Sequence, residues 1–245
     1  MKRTAIPAVL LTALALSAPL SHATGVKPET AVVLVNEADG EGTMNVKNTD
    51  ATPVMLYTKL QNIPEDSGAI LVVTPPVARL DPGETQQVRF VLTTQAPLKT
   101  ERLKRVYFEG IPSVDKAGAK SRVAVVVRQD LPVIIHPANL APDREPWKRL
   151  SWTLENGQLV VRNDSAYVVR LAQEVRAMPA NVSVALPKTY VLPGEVLKLG
   201  TGDDLRGATQ IRLFPASVYG YSVPRYDAPI GHKAATSQAA DAKSE

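Results

Sequence analysis

Beyond residue 30 the sequence is dominated by short runs in which apolar and polar residues alternate, each closed by Gly, Pro, Asn or Asp. Such alternation places side chains on opposite faces of a β-strand, and the closing residues are those that turns require. Before a Pro-rich stretch, the runs occupy residues 30–35, 43–48, 54–60, 69–74, 86–92, 105–111 and a stretch that begins at 121. After it, they occupy residues 149–154, 158–163, 167–176, 182–186, 189–192, 196–200, 210–214 and 217–223. The best helical spacing, at 169–177, begins with β-branched residues that favour a strand, so the pattern predicts an all-β chain.

The two series of runs predict two domains of the same kind. About seven strands spaced by roughly ten residues are typical of an immunoglobulin-like β-sandwich. The Asn-Gly pair at 156–157 predicts a tight hairpin inside the second series. We therefore predict sandwiches at residues 24–137 and 147–230, a Pro-rich hinge at 138–146 and a disordered tail at 231–245.

The first 23 residues have the architecture of a secretory signal peptide. Lys2 and Arg3 precede an apolar run at residues 5–20, and Ser-His-Ala at 21–23 supplies the small residues of a cleavage site. A retained membrane anchor is the alternative, but the run is short for a membrane span. We expect cleavage after Ala23 and export across the inner membrane.

Composition excludes several classes of partner. The chain contains no cysteine, so an exported protein of this sequence relies on its core and not on disulfides. It carries 28 Lys and Arg against 24 Asp and Glu, in mixed clusters. This excess is too small to indicate nucleic acid or an anionic membrane surface as a partner. No apolar stretch after the leader is long enough to insert into a bilayer.

Nothing in the sequence argues for an enzyme. After the leader there are two histidines, His136 and His232, and no Gly-x-Ser-x-Gly motif accompanies either. Without cysteine, a metal site would need a carboxylate cluster, and no calcium-loop spacing is present. The paired carboxylates Asp203 and Asp204 lie in a Gly-rich loop, where Asp commonly serves turns. We expect no catalytic residue, no metal and no cofactor.

Three stretches, in this order, resemble one family. Residues 71–92 (LVVTPPVARLDPGETQQVRFVL) contain two prolines, an apolar-Arg-Leu step and a Pro-Gly turn before a strand. Residues 101–112 (ERLKRVYFEGIP) form a run that ends in Ile-Pro, and residues 150–171 (LSWTLENGQLVVRNDSAYVVRL) combine a hairpin with Asn-x-Ser-x-Tyr. Over nearly its whole length after the leader, the chain resembles a divergent branch of the periplasmic pilus (fimbrial) assembly chaperones.

The resemblance implies a fold, a function and partners. Members have two immunoglobulin-like domains in an L or boomerang arrangement; they hold pilin subunits and deliver them to an outer-membrane usher. The chaperone lends an edge strand to a subunit that lacks its last strand. Matching Pro137 to the proline that ends this donor strand places Val123, Val125 and Val127 on the donor positions. From the residues alone these valines could equally face the chain's own core, because the residues between them are also apolar.

The chain departs from the family at the positions that bind the subunit's terminal carboxylate. Members use an Arg in the first strand and a Lys in the donor strand, and the same matching places these on Ala31 and Pro132. Neither residue can bind a carboxylate. His136 replaces an Arg before the closing proline, and Val218 replaces an Asp in the second domain. Glu101 matches the acidic residue of the interdomain network, so a Glu101–His136 contact is expected.

Three basic residues are candidates for the missing carboxylate anchor. Arg128 is favoured, because it directly follows the donor valines and shares a strand face with Pro132. Its guanidinium could bind both carboxylate oxygens. Arg105 on the neighbouring run and Lys27 before the first run are less favoured. The alternative for Arg128 is an ordinary exposed side chain, or one paired with Asp130.

A second function from another class stays open. A two-domain surface or adhesive protein that binds protein or carbohydrate would have the same fold. Adhesives more commonly carry an anchoring signal or clustered aromatic residues for sugar stacking, whereas this chain has 5% aromatic residues and a polar tail. A secreted hydrolase would need a nucleophile and a base, and the sequence offers no such pair.

The signal architecture generates the first prediction. Protein recovered from the periplasm should begin at Thr24, because the cleavage signal ends at Ala23. Intact-mass measurement checks this. A mass that includes the leader would contradict the predicted location.

Overall fold

The computed structural model describes residues 25–68, 70–93, 96–112 and 126–233, and these residues form two β-domains. The prediction of two immunoglobulin-like sandwiches is confirmed. Helical structure in the described residues is confined to two 3₁₀ turns, Pro146–Arg149 and Asp203–Leu205. No helix in this part of the chain is long and apolar enough to span a membrane.

The described residues of the first domain form nine strands. They are β1 Val26–Pro28, β2 Val33–Asn36, β3 Glu41–Asn48, β4 Val54–Asn62, β5 Leu71–Thr74, β6 Val77–Leu80, β7 Thr85–Leu92, β8 Arg102–Pro112 and β9 Arg128–His136. Their order is β5-β7-β3-β2-β9-β8-β4-β6, with β1 added beside β3. All of these pairs are antiparallel except β2 with β9.

The core of the first domain follows from the alternation of its strands. Phe90 on β7 and Phe108 on β8 are fully buried, with ring centroids 6.5 Å apart in an edge-to-face arrangement. Aromatic pairs of this geometry stabilise beyond the area that they bury. On β9, Val133 and Ile135 point into the same core. The alternate residues of β9 therefore point outward.

The second domain contains the remaining nine strands. They are β10 Ser151–Glu155, β11 Gln158–Arg162, β12 Val169–Arg170, β13 Glu174–Met178, β14 Val182–Ala185, β15 Tyr190–Val191, β16 Val196–Thr201, β17 Gln210–Leu213 and β18 Tyr226–Lys233. Seven form a sheet in the order β14-β13-β17-β18-β10-β11-β16, and β12 pairs with β15.

Two of the sequence predictions concern the second domain and can be compared with its structure. The hairpin at Asn156–Gly157 is present, and both residues have positive φ (52° and 79°), as a tight β10–β11 turn requires. Residues 231–233, which were predicted to begin a disordered tail, belong to a strand. Strand β18 continues through Lys233, because its backbone pairs in parallel with β10 as far as Glu155.

Each domain contains the same buried asparagine device. Asn48 donates from Nδ2 to the carbonyl oxygens of Thr52 and Leu80, and Asn163 donates likewise to those of Tyr167 and Val191. Both asparagines are fully buried. A Pro-Gly-Glu turn follows each second acceptor, at 82–84 and 193–195, and its glycine N–H donates to the asparagine carbonyl.

The asparagine device is the basis of a stability prediction. Asn163→Ala should lower the free energy of unfolding of the second domain by about 3 kcal/mol, because two buried carbonyl oxygens lose their donor. Trp147 and Trp152 both lie in the core of that domain, so tryptophan fluorescence during urea unfolding reports on it. Asn48→Ala is the matched control, and it should shift the circular-dichroism transition much more than the fluorescence transition. An unchanged fluorescence midpoint in Asn163→Ala would contradict the prediction.

Candidate functional site

Half of strand β9 has a free edge. Its C-terminal part, Val133–His136, pairs in parallel with β2, and its other edge pairs with β8 from Arg128 to Ile135. The residues from Arg128 to Pro132 have no strand on the β2 side within the described part of the chain. Pro132 fits this position, since proline in a sheet is found at edges. Backbone groups here are open to a partner strand.

The two faces of β9 differ. Leu131, Val133 and Ile135 face the first-domain core, and alternation puts Val127 on the same side. Val127 nevertheless is 44% exposed, because it lies beyond the covered part of the sandwich. Val126, on the opposite side by the same alternation, is 42% exposed. The two other predicted donor residues, Val123 and Val125, lie outside the described residues.

Of the three basic residues proposed as carboxylate anchors, Arg128 and Lys27 are exposed, whereas Arg105 is half-buried and close enough to Arg170 for their charges to interact. Arg128 contacts Glu109 at 3.2 Å and lies over the ring of Tyr107, at 5.3 Å from its centroid. Arg105 binds Asp130 at 2.8 Å, which is the carboxylate that the sequence alternative had assigned to Arg128.

The third candidate, Lys27, is exposed and pairs across strands with Lys47. None of the three candidates is among the residues that line the cavity between the domains. Their role in carboxylate binding stays a prediction.

Glu101 joins the two domains. Its Oε1 lies 2.9 Å from Nδ1 of His136 in the first domain, and its Oε2 accepts the N–H of Val168 in the second domain at 2.8 Å. The Glu101 N–H also donates to the carbonyl of Ala166. His136 in turn reaches the carbonyl of Leu140 at 2.9 Å through Nε2. Glu101 is only 8% exposed, so these donors compensate the burial of its carboxylate.

An apolar cluster continues this contact across the interface. It joins residues of both domains: Val32, Ile63, Leu103, Ile134 and Val168. Ile134 of β9 and Val32, which directly precedes β2, both contribute to this cluster. Pro132 precedes Ile134 by two residues and shares its face of β9, and Ala31 lies against Gly220 of the second domain. The floor of the cleft is apolar.

Glu65 makes a second, more exposed bridge between the domains. Its carboxylate binds Nζ of Lys188, and the hydroxyl of Tyr190 donates to it at 3.1 Å. Burial alone raises the pKa of Glu65, but the hydrogen bond from Lys188 and other bonds lower it below its ordinary value. The carboxylate therefore remains charged in this contact.

A cavity of about 480 Å³ lies beside the Glu101 bridge. Ile134 and His136 line it from the first domain, and Val168 and Arg170 from the second. The sequence analysis missed Arg170. A signal was available, because Arg170 interrupts an apolar run at residues 167–171, but its neighbours in space come from distant segments.

Within the described residues, no cluster of three or more His, Asp or Glu side chains is placed to hold a metal ion. The features that remain for a functional site are the free edge of β9 and the cavity between the domains.

Comparison with known proteins identifies the family. The N-terminal domain of the PapD-type pili and flagellar-assembly chaperones matches residues 25–141, and the C-terminal domain of the pili assembly chaperone PapD matches residues 145–225. The chain therefore belongs to the pilus assembly chaperone family, a family of chaperones and not of known enzymes.

Relatives agree with this assignment. The protein named as uncharacterized fimbrial chaperone YhcA from Escherichia coli (strain K12) is 46% identical over 207 residues, which cover 83% of this chain and 90% of that protein. The SafB chaperone, solved in complex with the SafA pilin of Salmonella enterica, has a TM-score of 0.69 at 20% identity, covering 85% and 98% of the two chains. The periplasmic chaperone SfaE has a TM-score of 0.64 at 19% identity, covering 84% and 100%. The two structures share the fold.

The two acidic bridges make a matched test of the interface. Glu101→Ala should lower the free energy of unfolding by about 2 kcal/mol, because the buried N–H of Val168 loses its acceptor. Glu65→Ala should cost less than about 1 kcal/mol, since its bridge is more exposed. Urea unfolding followed by circular dichroism and by tryptophan fluorescence measures the loss in each variant. The midpoints seen by the two methods should lie further apart in Glu101→Ala, because the contact between the domains is weakened. Equal losses in the two variants would show that Glu101 has no special role.

Proposed function

We propose that this chain is a periplasmic chaperone that completes pilin-type subunits by donating strand β9, with the residues before it, and then delivers them to an outer-membrane usher. The observation that carries the proposal is the free edge from Arg128 to Pro132. Strand addition obtains affinity from main-chain hydrogen bonds and specificity from alternate side chains. The edge offers both.

The apolar side chains beside this edge supply the binding energy. Val127 is exposed on the side of β9 that faces the core in the covered part of the sandwich. A subunit strand added at the edge would extend the sheet. The apolar core of the subunit would then cover the face that carries Val127. Burial of one valine contributes about 1.5–3 kcal/mol. The proposal assigns the same role to Val123 and Val125, on the sequence pattern.

An exposed apolar edge is otherwise a liability. Natural proteins protect edge strands with charges, prolines or bulges, because open backbone groups favour aggregation. Here Arg128 and Asp130 are charged, but Val126 and Val127 are exposed beside them. A chaperone can keep such an exposed edge if a bound subunit covers it.

The names of two related structures support the location and the partner. SfaE is described as a periplasmic chaperone, and SafB was solved with a pilin. A cleaved leader at residues 1–23 would bring this chain to the periplasm. The usher is proposed on family membership, and no surface of the described residues is assigned to it.

Two neighbouring valines test strand donation. Val127→Asp should abolish capture of a co-expressed pilin subunit, because it buries an unpaired carboxylate in the apolar groove of the subunit. Val126→Asp is the matched control, since it is equally exposed but lies on the other face. A pull-down of the tagged subunit measures capture, and a thermal melt checks that both variants fold. Val125→Asp should behave like Val127→Asp.

Equal capture by Val126→Asp and Val127→Asp would contradict the assignment of the donor face. A Val125→Asp variant that unfolds would place Val125 in the chain's own core. Absence of capture by the wild type would contradict the proposed function itself.

A further inference from the structure

Arg170 is a half-buried cation without an ionic partner. Its Nη2 donates to the carbonyl oxygens of Ser217 at 2.5 Å and Val218 at 3.4 Å. Its Nε and Nη1 make no hydrogen bond to the described residues, and no carboxylate there lies within ion-pair distance. Burial lowers the pKa of Arg170 and the positive charge of Arg105 lowers it further, whereas the charge of Glu101 raises it. The guanidinium is thus only partly compensated.

The carboxylates near Arg170 are engaged elsewhere. Glu101, on the cavity wall, uses one oxygen for His136 and the other for Val168. Asp143, also on the wall, binds Arg149 at 2.5 Å. The remaining charged residue of the wall is Arg144, which is exposed and has no ion pair within the described residues. Both carboxylates of the wall therefore have other partners, and neither forms an ion pair with Arg170.

The first domain does contain a buried cation, but it is already paired. Lys104 is 3% exposed, and its Nζ binds Oδ1 of Asp66 at 2.8 Å and the Asp66 carbonyl at 2.7 Å. Burial alone raises the pKa of Asp66, yet the hydrogen bonds from Arg102 and Lys104 lower it below its ordinary value. This ion cluster is closed, whereas the guanidinium of Arg170 still has free donors.

The chemistry of the cavity indicates a carboxylate with an apolar substituent as its ligand. A guanidinium presents parallel N–H donors that match the two oxygens of a carboxylate. Leu34, Ile134, Val168 and Val218 also line the cavity and would contact an apolar group attached to that carboxylate. Two sources have this chemistry, namely the end of a polypeptide and a small carboxylate in solution.

The course of β9 favours the end of a polypeptide, and not a small solute, as the source of the carboxylate. The free edge finishes at Pro132, and Ile134, two residues further along the same strand, lines the cavity. Two strand residues span about 7 Å. A chain that pairs with the free edge and passes Pro132 therefore arrives at the cavity, where β2 blocks further pairing. Its last residue would place a carboxylate within reach of the cavity wall.

We propose that Arg170 of the second domain binds the terminal carboxylate of the subunit whose strand pairs with β9. This inference rests on the proposed function. It assigns the carboxylate to a residue of the second domain that lines the same cavity as Ile134 of β9. The bound subunit then contacts both domains, the first through β9 and the second through Arg170.

Substitution of Arg170 tests this directly. A pilin subunit tagged at its N terminus is co-expressed with the full chain, and the dissociation of the purified complex is measured. Arg170→Gln should bind the subunit at least about tenfold more weakly, the scale of a charged hydrogen bond. Arg170→Lys keeps the positive charge but loses the paired N–H donors of the guanidinium, so its affinity for the subunit should be intermediate. Circular dichroism and tryptophan fluorescence check that each variant is folded.

Arg128→Ala is the comparison variant, because Arg128 is an exposed arginine bound to Glu109. The Arg170 proposal requires the larger loss in Arg170→Gln. A larger loss in Arg128→Ala would overturn it in favour of the outer surface. Wild-type binding by Arg170→Gln would also overturn it while leaving strand donation intact. Failure of the wild type to capture any subunit would instead contradict the proposed function.

A modified subunit distinguishes the two sources of carboxylate. It also tests the proposal with the wild-type chaperone, so that a result is obtained even if Arg170→Gln does not fold. Two residues added to the subunit's C terminus displace its carboxylate, so wild-type binding should weaken to the level of Arg170→Gln with the unmodified subunit. Undiminished binding of the extended subunit would overturn the proposal. Thermal melts with sodium benzoate probe a small carboxylate. Benzoate that stabilises wild type but not Arg170→Gln, with subunit binding unaffected by the variant, would assign the cavity to a solute instead.

Discussion

The carboxylate of Glu101 is the contact on which the arrangement of the two domains depends. It is 8% exposed, and it accepts one hydrogen bond from each domain, from His136 and from the N–H of Val168. A buried carboxylate that lost either donor would bear a desolvation cost without compensation. The separation of β8 from the second domain is therefore fixed. The contact between Ile134 and Val168 and the place of Arg170 in the cavity wall follow from it.

The length of β2 decides what the first domain presents to a partner. The four residues of β2, Val33–Asn36, cover the C-terminal half of β9. Because the two strands are parallel, a β2 that began earlier in the chain would also cover the remaining edge from Arg128 to Pro132. Pro132 stands at the boundary, and it has no N–H to offer a neighbour. The same sandwich that buries Val133 and Ile135 thus leaves Val127 exposed, because the covering layer ends first.

Turn chemistry and alternation made most of the fold predictable from the sequence. Asn156–Gly157 defined a hairpin through the positive φ that both residues adopt. The β-branched residues at 168–169 favoured strand structure over the helical spacing of this segment, and the structure has β12 and β13 there. Faces were harder to assign. Alternation alone could not decide which face of the run at 123–127 a partner strand would cover, since the residues between the three valines are also apolar. Arg170 was missed for another reason, because its carbonyl partners at 217–218 and the cavity wall come from segments distant in sequence.

A cation on the second domain changes what a bound carboxylate stabilises. An anchor on β2 and β9 would attach a ligand to the first domain alone. In the arrangement proposed here, the ligand contacts β9 on one side of the cavity and Arg170 on the other. A ligand that binds only when the domains are in contact stabilises that state by its own binding free energy. Subunit binding and the Glu101 bridge would then reinforce each other, and weakening the contact between Glu101 and Val168 would weaken the hold on the subunit as well.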